Sequence, residues 1–437
     1  MYKQFLRICI SAFCCVWLLF AESVYATDLL ELYQATMTGS PTLKVRELVI
    51  ARARADADVS VSRLYPQISL QASTSRNDYQ DVVSSILYNG QRITLSARQA
   101  LIDLPSKYRF DSARYSSIQA ENESDLARMQ LTAQLTDTYL EALAADDEMD
   151  QVVAEREAAT NQVARLMAMT KRQMAKVTDL TEAVAYLQQL DTRQIDVANK
   201  SASARVKLRE LSGRDPGVLA RLSRSEFPDV PNNEDYWVQA ALDNNPDLSA
   251  RSAAVLASRS GADGARAEHI PQLSLLLQRN QSNQDIDNSP RRDFSVNIIA
   301  LELRIPIYEG GRVNASTSSA LAQLSIAEQQ LEASRRSVER DMRMTYASAN
   351  ANRARIDSTD NQVFAMEQSV AAQERGYELG VVTVISVLDT RRRLLRARVD
   401  QAKARYDYLR DLIILRMRAG KLQRVDMEEF NQWLAMR

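Results

Sequence analysis

Residues 294–312 read FSVNIIALELRIPIYEGGR. They join an apolar, strand-like pattern to a long helical pattern without an intervening linker. In an extended chain Val296 and Ile298 lie on one side, whereas Ile299 and Leu301 lie on the other. Apolar residues that change sides in this way indicate a β-strand with a register shift. The segment therefore predicts a strand that runs through a short turn directly into the element that follows.

That element is a very long helix. From Arg312 onward neither proline nor glycine occurs before Gly376, and alanine, glutamine, glutamate, arginine and serine dominate. About 60 such residues predict a helix of roughly 90 Å at 1.5 Å per residue. Apolar residues recur in it at every seventh position, which predicts a packing face along the helix: Met342, Ala349, Ile356, Val363 and Val370.

The chain contains an internal repeat. Residues 40–73 align without a gap to residues 245–278, and Pro41 with Pro246 and Pro66 with Pro271 are each 205 positions apart. Both copies predict two helices, a strand, a polar loop, a second strand, a long helix and a returning helix.

The predicted organisation follows from this duplication. The predicted segments are a signal peptide (1–26), a first repeat (27–212, with a β-hairpin at 67–101 and a long helical hairpin at 106–211), a linker (213–233), a second repeat (234–422, with a β-hairpin at 271–307 and a long helical hairpin at 312–420) and a C-terminal tail (423–437).

Residues 1–26 have the pattern of a secretory signal peptide. Lys3 and Arg7 precede an apolar segment, and Val-Tyr-Ala at 24–26 matches the small-residue cleavage pattern. All three cysteines lie within this segment, so the mature chain is predicted to have no disulfide and no thiolate metal site. The protein is therefore expected to leave the cytoplasm.

Composition excludes several functional classes. The formal net charge is -1, which gives no electrostatic reason to expect nucleic-acid binding. His269 is the only histidine, and no GxxxxGK phosphate-binding motif is present. No catalytic, cofactor-binding or metal site is predicted, and we expect a protein that is not an enzyme. The acidic residues at 146–150 are predicted to form a solvated helix face.

The four predicted strands are each about ten residues long, the length of a membrane-crossing β-strand. Four strands cannot close a barrel, and open edges in hydrocarbon leave backbone groups unpaired at a cost of several kcal/mol each. Copies from two chains would give eight strands, and copies from three would give twelve with room for a water channel. The alternative is a pair of small soluble sheets.

The segment GYELGVVTVISVLDTRRRLLRARVDQAKARYDYLRDLIILRMRAGKL at 376–422 resembles the C-terminal signature of the TolC-type outer-membrane efflux proteins. LRIPIYEGGR at 303–312 resembles that family's second strand-to-helix junction, and YPQ and IPQ its first. The likeness covers essentially the whole mature chain.

This resemblance implies a mixed α and β membrane protein. In such a protein, four transmembrane strands from each chain of a homotrimer make a 12-stranded β-barrel in the outer membrane of a Gram-negative bacterium. The long helices continue it as a periplasmic α-helical barrel. A passive exit duct of this kind serves efflux or type I secretion. Its partners are a periplasmic adaptor and an inner-membrane ABC or RND-type transporter.

The resemblance also places a set of residues at the periplasmic tips and the pore entrance: Ala175, Thr178, Tyr377, Gly380, Thr383 and Asp389. Gly380 suits the positive φ of a turn between helices, and Thr383 suits a helix N-cap. In the first repeat Ala175 is expected at the glycine position and Thr178 at the threonine position.

Two positions depart from the family pattern. Ser386 stands where a second entrance aspartate often lies, and Val382 where a basic residue can occur. Three chains would thus present one acidic ring, from Asp389, rather than two. A second hypothesis is a periplasmic coiled-coil adaptor or scaffold, which shares the long helical hairpins but needs no membrane strands.

Overall fold

A computed structural model describes residues 27–80, 85–223, 227–285 and 288–435. The predicted signal peptide lies outside the described residues. Among the described residues, no helix has the length and hydrophobicity that crossing a bilayer requires.

The first half of the chain contains four helices and two strands. They are α1 (Leu29–Gly39), α2 (Pro41–Ser62), β1 (Gln67–Gln80), β2 (Ser85–Ile102), α3 (Leu104–Lys171) and α4 (Val177–Ser212). The 68 residues of α3 span roughly 100 Å. A short strand, β3 (Arg221–Leu222), follows.

The second half repeats this order. Its elements are α5 (Glu234–Asn244), α6 (Pro246–Ala267), β4 (Gln272–Gln284), β5 (Pro290–Arg304), α7 (Arg312–Glu378) and α8 (Val384–Arg418), followed by α9 (Arg424–Gln432) and β6 (Leu434–Ala435).

Local chemistry explains several helix starts. The Asp28 carboxylate accepts a hydrogen bond of 2.7 Å from the Glu31 amide and caps α1. The Asn245 side chain caps α6 by accepting from the Asp247 amide at 2.9 Å, and Pro246 occupies the first helical position, where it needs no hydrogen-bond partner.

Four strands form one antiparallel sheet in the order β1-β2-β4-β5. The hairpin of each repeat is joined to the other by pairing of β2 with β4, so the alternative of two separate sheets is wrong. Along β5 the pairing with β4 is continuous from Arg304 to Phe294, so the register shift predicted there is also wrong. The apolar residues on the two sides of β5 belong to the two faces of a regular strand.

Along β1 and β2 the pairing separates an apolar face of the sheet from a polar one, whereas β5 carries apolar residues on both faces. On one face Leu70 pairs with Leu95, and Leu277 pairs with Ile299. On the opposite face Ser69 and Ser96 join their hydroxyls at 2.8 Å. The register places these further residues on that polar face: Gln71, Thr94, Gln278 and Asn280. This two-faced sheet has the pattern of strands between lipid and water.

The chain forms two compact units, and each unit draws on both repeats. One contains the described residues up to 41 together with 128–243 and 340–435. The other contains residues 42–127 and 244–339, including the sheet. The units therefore do not coincide with the two sequence repeats.

The first unit buries four of the five residues in the predicted row of α7. Met342 and Ala349 are fully buried there, and Ile356 and Val363 are nearly so. Tyr139 on α3 is also fully buried, and its hydroxyl donates to the Ala220 carbonyl at 2.9 Å. The segment predicted to be a linker thus contributes to the core.

Residues near the C terminus pack into this same unit. β6 pairs with β3, while Trp433 on the turn after α9 meets Phe227 and Phe430 edge-on at 6.4 and 5.1 Å between ring centroids. The tail is therefore a structural part of the first unit.

Candidate functional site: the helical tips

The tip of the second hairpin is a short turn between α7 and α8. Gly380 adopts φ 74°, in the left-handed region that glycine enters without a steric penalty. The Val381 amide donates to the Gly376 carbonyl at 2.9 Å, which satisfies a carbonyl at the end of α7. Thr383 caps α8, since its hydroxyl accepts from the Ser386 amide at 3.3 Å.

The tip of the first hairpin has the same backbone form with different residues. The left-handed position, with φ 62°, is Gln173, and the N-cap of α4 is Lys176, which makes no side-chain cap hydrogen bond. The expected correspondence of Ala175 with the glycine and of Thr178 with the threonine is therefore wrong. Tip positions are 207 residues apart rather than 205, because the second repeat is two residues longer before its tip.

An apolar cluster holds the two hairpins together near their tips. Its buried members, here called the tip cluster, are Ala159, Leu166, Ala183, Tyr186, Leu190, Val384 and Leu388. Ala175 and Tyr377 are partly buried against it. Burial raises the pKa of Tyr377, with a further contribution from the charge of Asp179. The structure thus brings Ala175 and Tyr377 together, although Ala175 does not form the turn.

A polar network lies beside the tip cluster and connects all four long helices. The Tyr186 hydroxyl on α4 donates to Glu155 on α3 at 3.0 Å. Arg391 on α8 lies 3.7 Å from the same carboxylate and donates from Nε to Glu374 on α7 at 3.0 Å. The guanidinium of Arg392 stacks over the Tyr186 ring at 4.9 Å.

The electrostatics of this network follow from burial. The side chains of Glu155 and Arg391 are only 16% and 24% exposed. Desolvation raises the pKa of Glu155, and the charge of Arg391 acts against that rise. Burial also raises the pKa of the Tyr186 phenol, which the neighbouring charge of Glu155 raises further. A partly buried ion pair of this kind is sensitive to any movement that separates its helices.

Asp389 lies in the second turn of α8, outside this network. Its carboxylate is about half exposed and forms an ion pair with Arg393 one turn further along. Such i,i+4 pairs between exposed groups are weak. The role of Asp389 at a pore entrance stays a prediction.

Sequence reasoning missed the network because its members are far apart in the chain. The arginines at 391–393 form a charged run of the kind usually found on a helix surface, yet Arg391 and Arg392 contact groups on other helices. One signal was available in the sequence. The heptad spacing of the tip-cluster residues on α4 and α8 predicts that these two helices are in contact. An arginine beside that contact is placed to reach across it to a neighbouring helix.

The acidic cluster at 146–150 is likewise not a solvated face. Tyr406 donates to Asp147 at 2.6 Å, and Arg221 lies 4.0 Å from the same carboxylate. Burial raises the pKa of Asp147 despite these partners. Its neighbours are also paired, Asp146 with Arg205, Glu148 with Arg193 and Lys200, and Asp150 with Arg221. These residues join α3 to α4, β3 and α8 within the first unit.

Within the described part of the chain, no group of three or more histidine, cysteine, aspartate or glutamate residues is arranged to hold a metal ion. The tips therefore offer packing, turns and ion pairs that link helices. Such features suit a contact between helices that can break and re-form.

Comparisons with known proteins agree with this architecture. The family model described as "Outer membrane efflux protein" matches residues 237–421. The outer membrane protein TolC of Vibrio cholerae is 27% identical over 95% of each chain. The alkaline protease secretion protein AprF of Pseudomonas aeruginosa is 22% identical over 94% of this chain and 88% of its own.

The fold matches solved structures as well. The Campylobacter jejuni CmeC outer membrane channel superimposes with a TM-score of 0.81 at 14% identity, covering 93% of this chain and 90% of that one. The two-faced sheet that continues into long helical hairpins is thus the fold of an outer-membrane channel. The second repeat therefore matches the outer-membrane efflux protein family, and TolC-type relatives align with nearly the whole chain.

In consequence the protein is an outer-membrane exit duct for efflux or type I secretion, with a large periplasmic helical portion, in a Gram-negative bacterium. The family consists of channels rather than enzymes.

Proposed function

We propose that three copies of this chain form one passive duct, and that its periplasmic mouth opens and closes through movement of the helical tips. One chain supplies four strands with one apolar face. Twelve strands from three chains satisfy every edge and leave a water-filled interior.

In this proposal the energy for transport comes from a partner protein. The sequence contains no GxxxxGK motif. We therefore place the energy source in an inner-membrane ABC or RND-type transporter, which reaches the tips through a periplasmic adaptor. Tyr377, Gly380 and Thr383 then belong to the surface that the adaptor meets, and Asp389 to the entrance.

The observation that supports a gate at the tips is the set of contacts made by Arg391. This side chain holds α8 to α7 through Glu374 and to α3 through Glu155. Outward movement of the second hairpin separates Arg391 from Glu155 and leaves the carboxylate without its nearest cation. The closed arrangement is therefore stabilised by an interaction that the open one lacks.

The test is single-channel conductance of the purified protein in planar bilayers, with Arg391→Gln. Loss of a charge-assisted contact costs the closed state about 1–2 kcal/mol, so the open population should rise roughly tenfold. Arg336→Gln is the matched control, because Arg336 is exposed and, among the described residues, forms its ion pair with Glu332 of the same helix. Equal open populations in Arg391→Gln and the wild type would remove Arg391 from the gate.

A second variant separates the ion pair from general damage. Glu155→Gln keeps an acceptor for the Tyr186 hydroxyl and removes only the charge that attracts Arg391. It should open the channel in the same direction with a smaller effect, because the contact of Arg391 with Glu374 is retained.

The adaptor or scaffold hypothesis makes the opposite prediction for the sheet. A protein without membrane strands has no use for a sheet with an apolar outer face. Cell fractionation of the full-length protein distinguishes the two hypotheses, since a soluble periplasmic product would contradict the channel.

A further inference from the structure

The polar face of the sheet includes one apolar column of side chains, on β5. Thr94 donates to Asn280 at 3.2 Å on the polar face, and the register pairs Asn280 with Val296. Paired residues of an antiparallel sheet share a face, and side chains two positions apart along a strand lie on the same side. The apolar column is therefore defined by Phe294, Val296, Ile298 and Ala300.

The column is accessible within the chain. Val296 and Ile298 are 41% and 40% exposed. Contact with lipid does not account for them, because the opposite side of β5 carries its own apolar residues, such as Ile299 at 80% exposure. Two large aliphatic side chains thus remain open on the face that is otherwise polar.

The other repeat shows that the sheet does not require an apolar residue at this place. At the repeat spacing of 205, Ser73 on β1 corresponds to Gln278 on β4. The residue paired with Ser73 is Arg92, whereas the residue paired with Gln278 is Ile298. The first hairpin therefore forms the same pairing with a charged residue where the second has isoleucine.

The polar face also carries an excess of positive charge. Among the residues that pair in the sheet, the register places three arginines and one glutamate on this face: Arg92, Arg98, Arg304 and Glu302. Arg98 donates to Glu302 at 2.6 Å and neutralises it. Arg92 donates to a backbone carbonyl, that of Asp285, at 2.7 Å and keeps its charge.

We infer that the apolar column gives the apolar part of an amphipathic anion a place to bind on the inner wall of the barrel. The inference rests on the proposed function and deepens it, because it names a class of cargo for the same duct. In a trimer, three columns line the water-filled interior. An alkyl group that lies along a column leaves water, which is favourable in proportion to the apolar area covered. The surrounding arginines attract the anionic group.

The test is the interruption of single-channel current by two alkyl sulfates that differ in chain length. Octyl sulfate and ethyl sulfate are added in turn to the purified protein in a planar bilayer, at one concentration at which octyl sulfate forms no micelles. Both carry the same sulfate group, so only the alkyl contact differs. We expect octyl sulfate to interrupt the current about tenfold longer, as covering about two methylene groups would produce.

A double variant removes the apolar surface and keeps the strand. In Val296→Thr combined with Ile298→Thr the side chains stay β-branched, which suits a strand. The interruptions by octyl sulfate should become several-fold shorter, while those by ethyl sulfate and the conductance should stay as in the wild type. Heat resistance of the oligomer on gels checks that the variant assembles.

The matched control makes the same change on the opposite face. Ile93 is β-branched and 48% exposed, and it pairs with Ala72 on the apolar face. Ile93→Thr should leave the interruptions by octyl sulfate unchanged. Octyltrimethylammonium, a cation with the same alkyl chain, should interrupt the current for a shorter time than octyl sulfate.

The outcomes separate this inference from the duct itself. Equal interruptions by the two sulfates in a conducting channel would overturn the role of the column and leave the duct intact, as would an equal shortening in Ile93→Thr. Longer interruptions by the cation than by octyl sulfate would overturn the preference for anions. A monomeric native mass without channel conductance would overturn both proposals.

Discussion

Asp389 is the residue on which ion selectivity is expected to depend. Three copies would place three such carboxylates in one ring, and Ser386 and Val382 add no further charge. Arg393 partly neutralises each of them. The sequence therefore favours a weakly cation-selective entrance, with selectivity set by one ring of charge.

We expect Asp389→Asn to lower the preference for cations over anions by a factor of about two or three, since salt screens an exposed ring within about 8–10 Å. Reversal potentials in a salt gradient across a planar bilayer measure this preference. Asp400→Asn, about three turns further along α8, controls for loss of charge on the same helix. Unchanged selectivity would exclude Asp389 from the entrance.

The single residues of the second tip were predictable because turn chemistry is local. Gly380 and Thr383 have the φ and the cap that their residue types favour. The first tip was not predictable in the same way. Gln173 carries a positive φ and Lys176 is the N-cap without a side-chain hydrogen bond, so neither residue type indicates the position that it takes in the turn.

At the scale of elements, the buried charges of α3 connect elements that lie far apart in the sequence. Asp147 accepts from Tyr406 on α8 and lies near Arg221 on β3. Its raised pKa means that desolvation outweighs these favourable partners. The charged carboxylate is therefore less stable in the folded protein than in the unfolded chain.

The raised pKa of Asp147 predicts how stability depends on pH. Because the folded-state pKa of Asp147 is raised, its favourable contribution is complete below the ordinary pKa of 3.8 and is lost as the pH rises through the folded-state value. Asp147→Asn should therefore melt at a higher temperature than the wild type at about pH 7. The difference should vanish as the pH falls below the ordinary pKa of 3.8, because the carboxyl is then protonated in both the folded and the unfolded chain.

Thermal unfolding followed by circular dichroism in detergent measures the effect. Asp150→Asn is the control, since Asp150 is half exposed and also pairs with Arg221. A lower melting temperature of Asp147→Asn at pH 7 would show that the Tyr406 and Arg221 contacts outweigh desolvation.

The elements themselves were largely predictable, because periodicity and prolines set them. Four of the five residues in the predicted row of α7 are buried, and α2 ends before the Tyr-Pro pair at 65–66. The pairing between the two predicted hairpins was not predictable, since β2 meets β4 across an intervening helical hairpin. Pairing of that kind depends on the whole fold rather than on a turn sequence.

At the scale of the molecule, aromatic packing ties the C-terminal segment into the first unit. Trp433 is nearly buried between Phe227 and Phe430. Trp433→Ala should lower the free energy of unfolding by about 3 kcal/mol, as for other large-to-small changes in a core. Heat-dependent loss of the oligomer on gels measures this, and Val425→Ala on the exposed side of α9 is the control.

An equal heat resistance of the Trp433→Ala variant and the wild type would show that the C-terminal segment only covers the surface. The sequence could not decide this point. Trp433 and Phe227 are separated by some 200 residues, and no periodic pattern connects them.

The pairing of β3 with β6 has a consequence for biosynthesis. Arg221 is made and exported long before residues 434–435, yet its strand partner is one of them. The middle of the chain therefore cannot complete its local structure until nearly the whole polypeptide has been delivered. A product that stops early keeps exposed strand edges and unfilled aromatic contacts in its centre, where periplasmic proteases can distinguish it from the finished chain before it enters an oligomer.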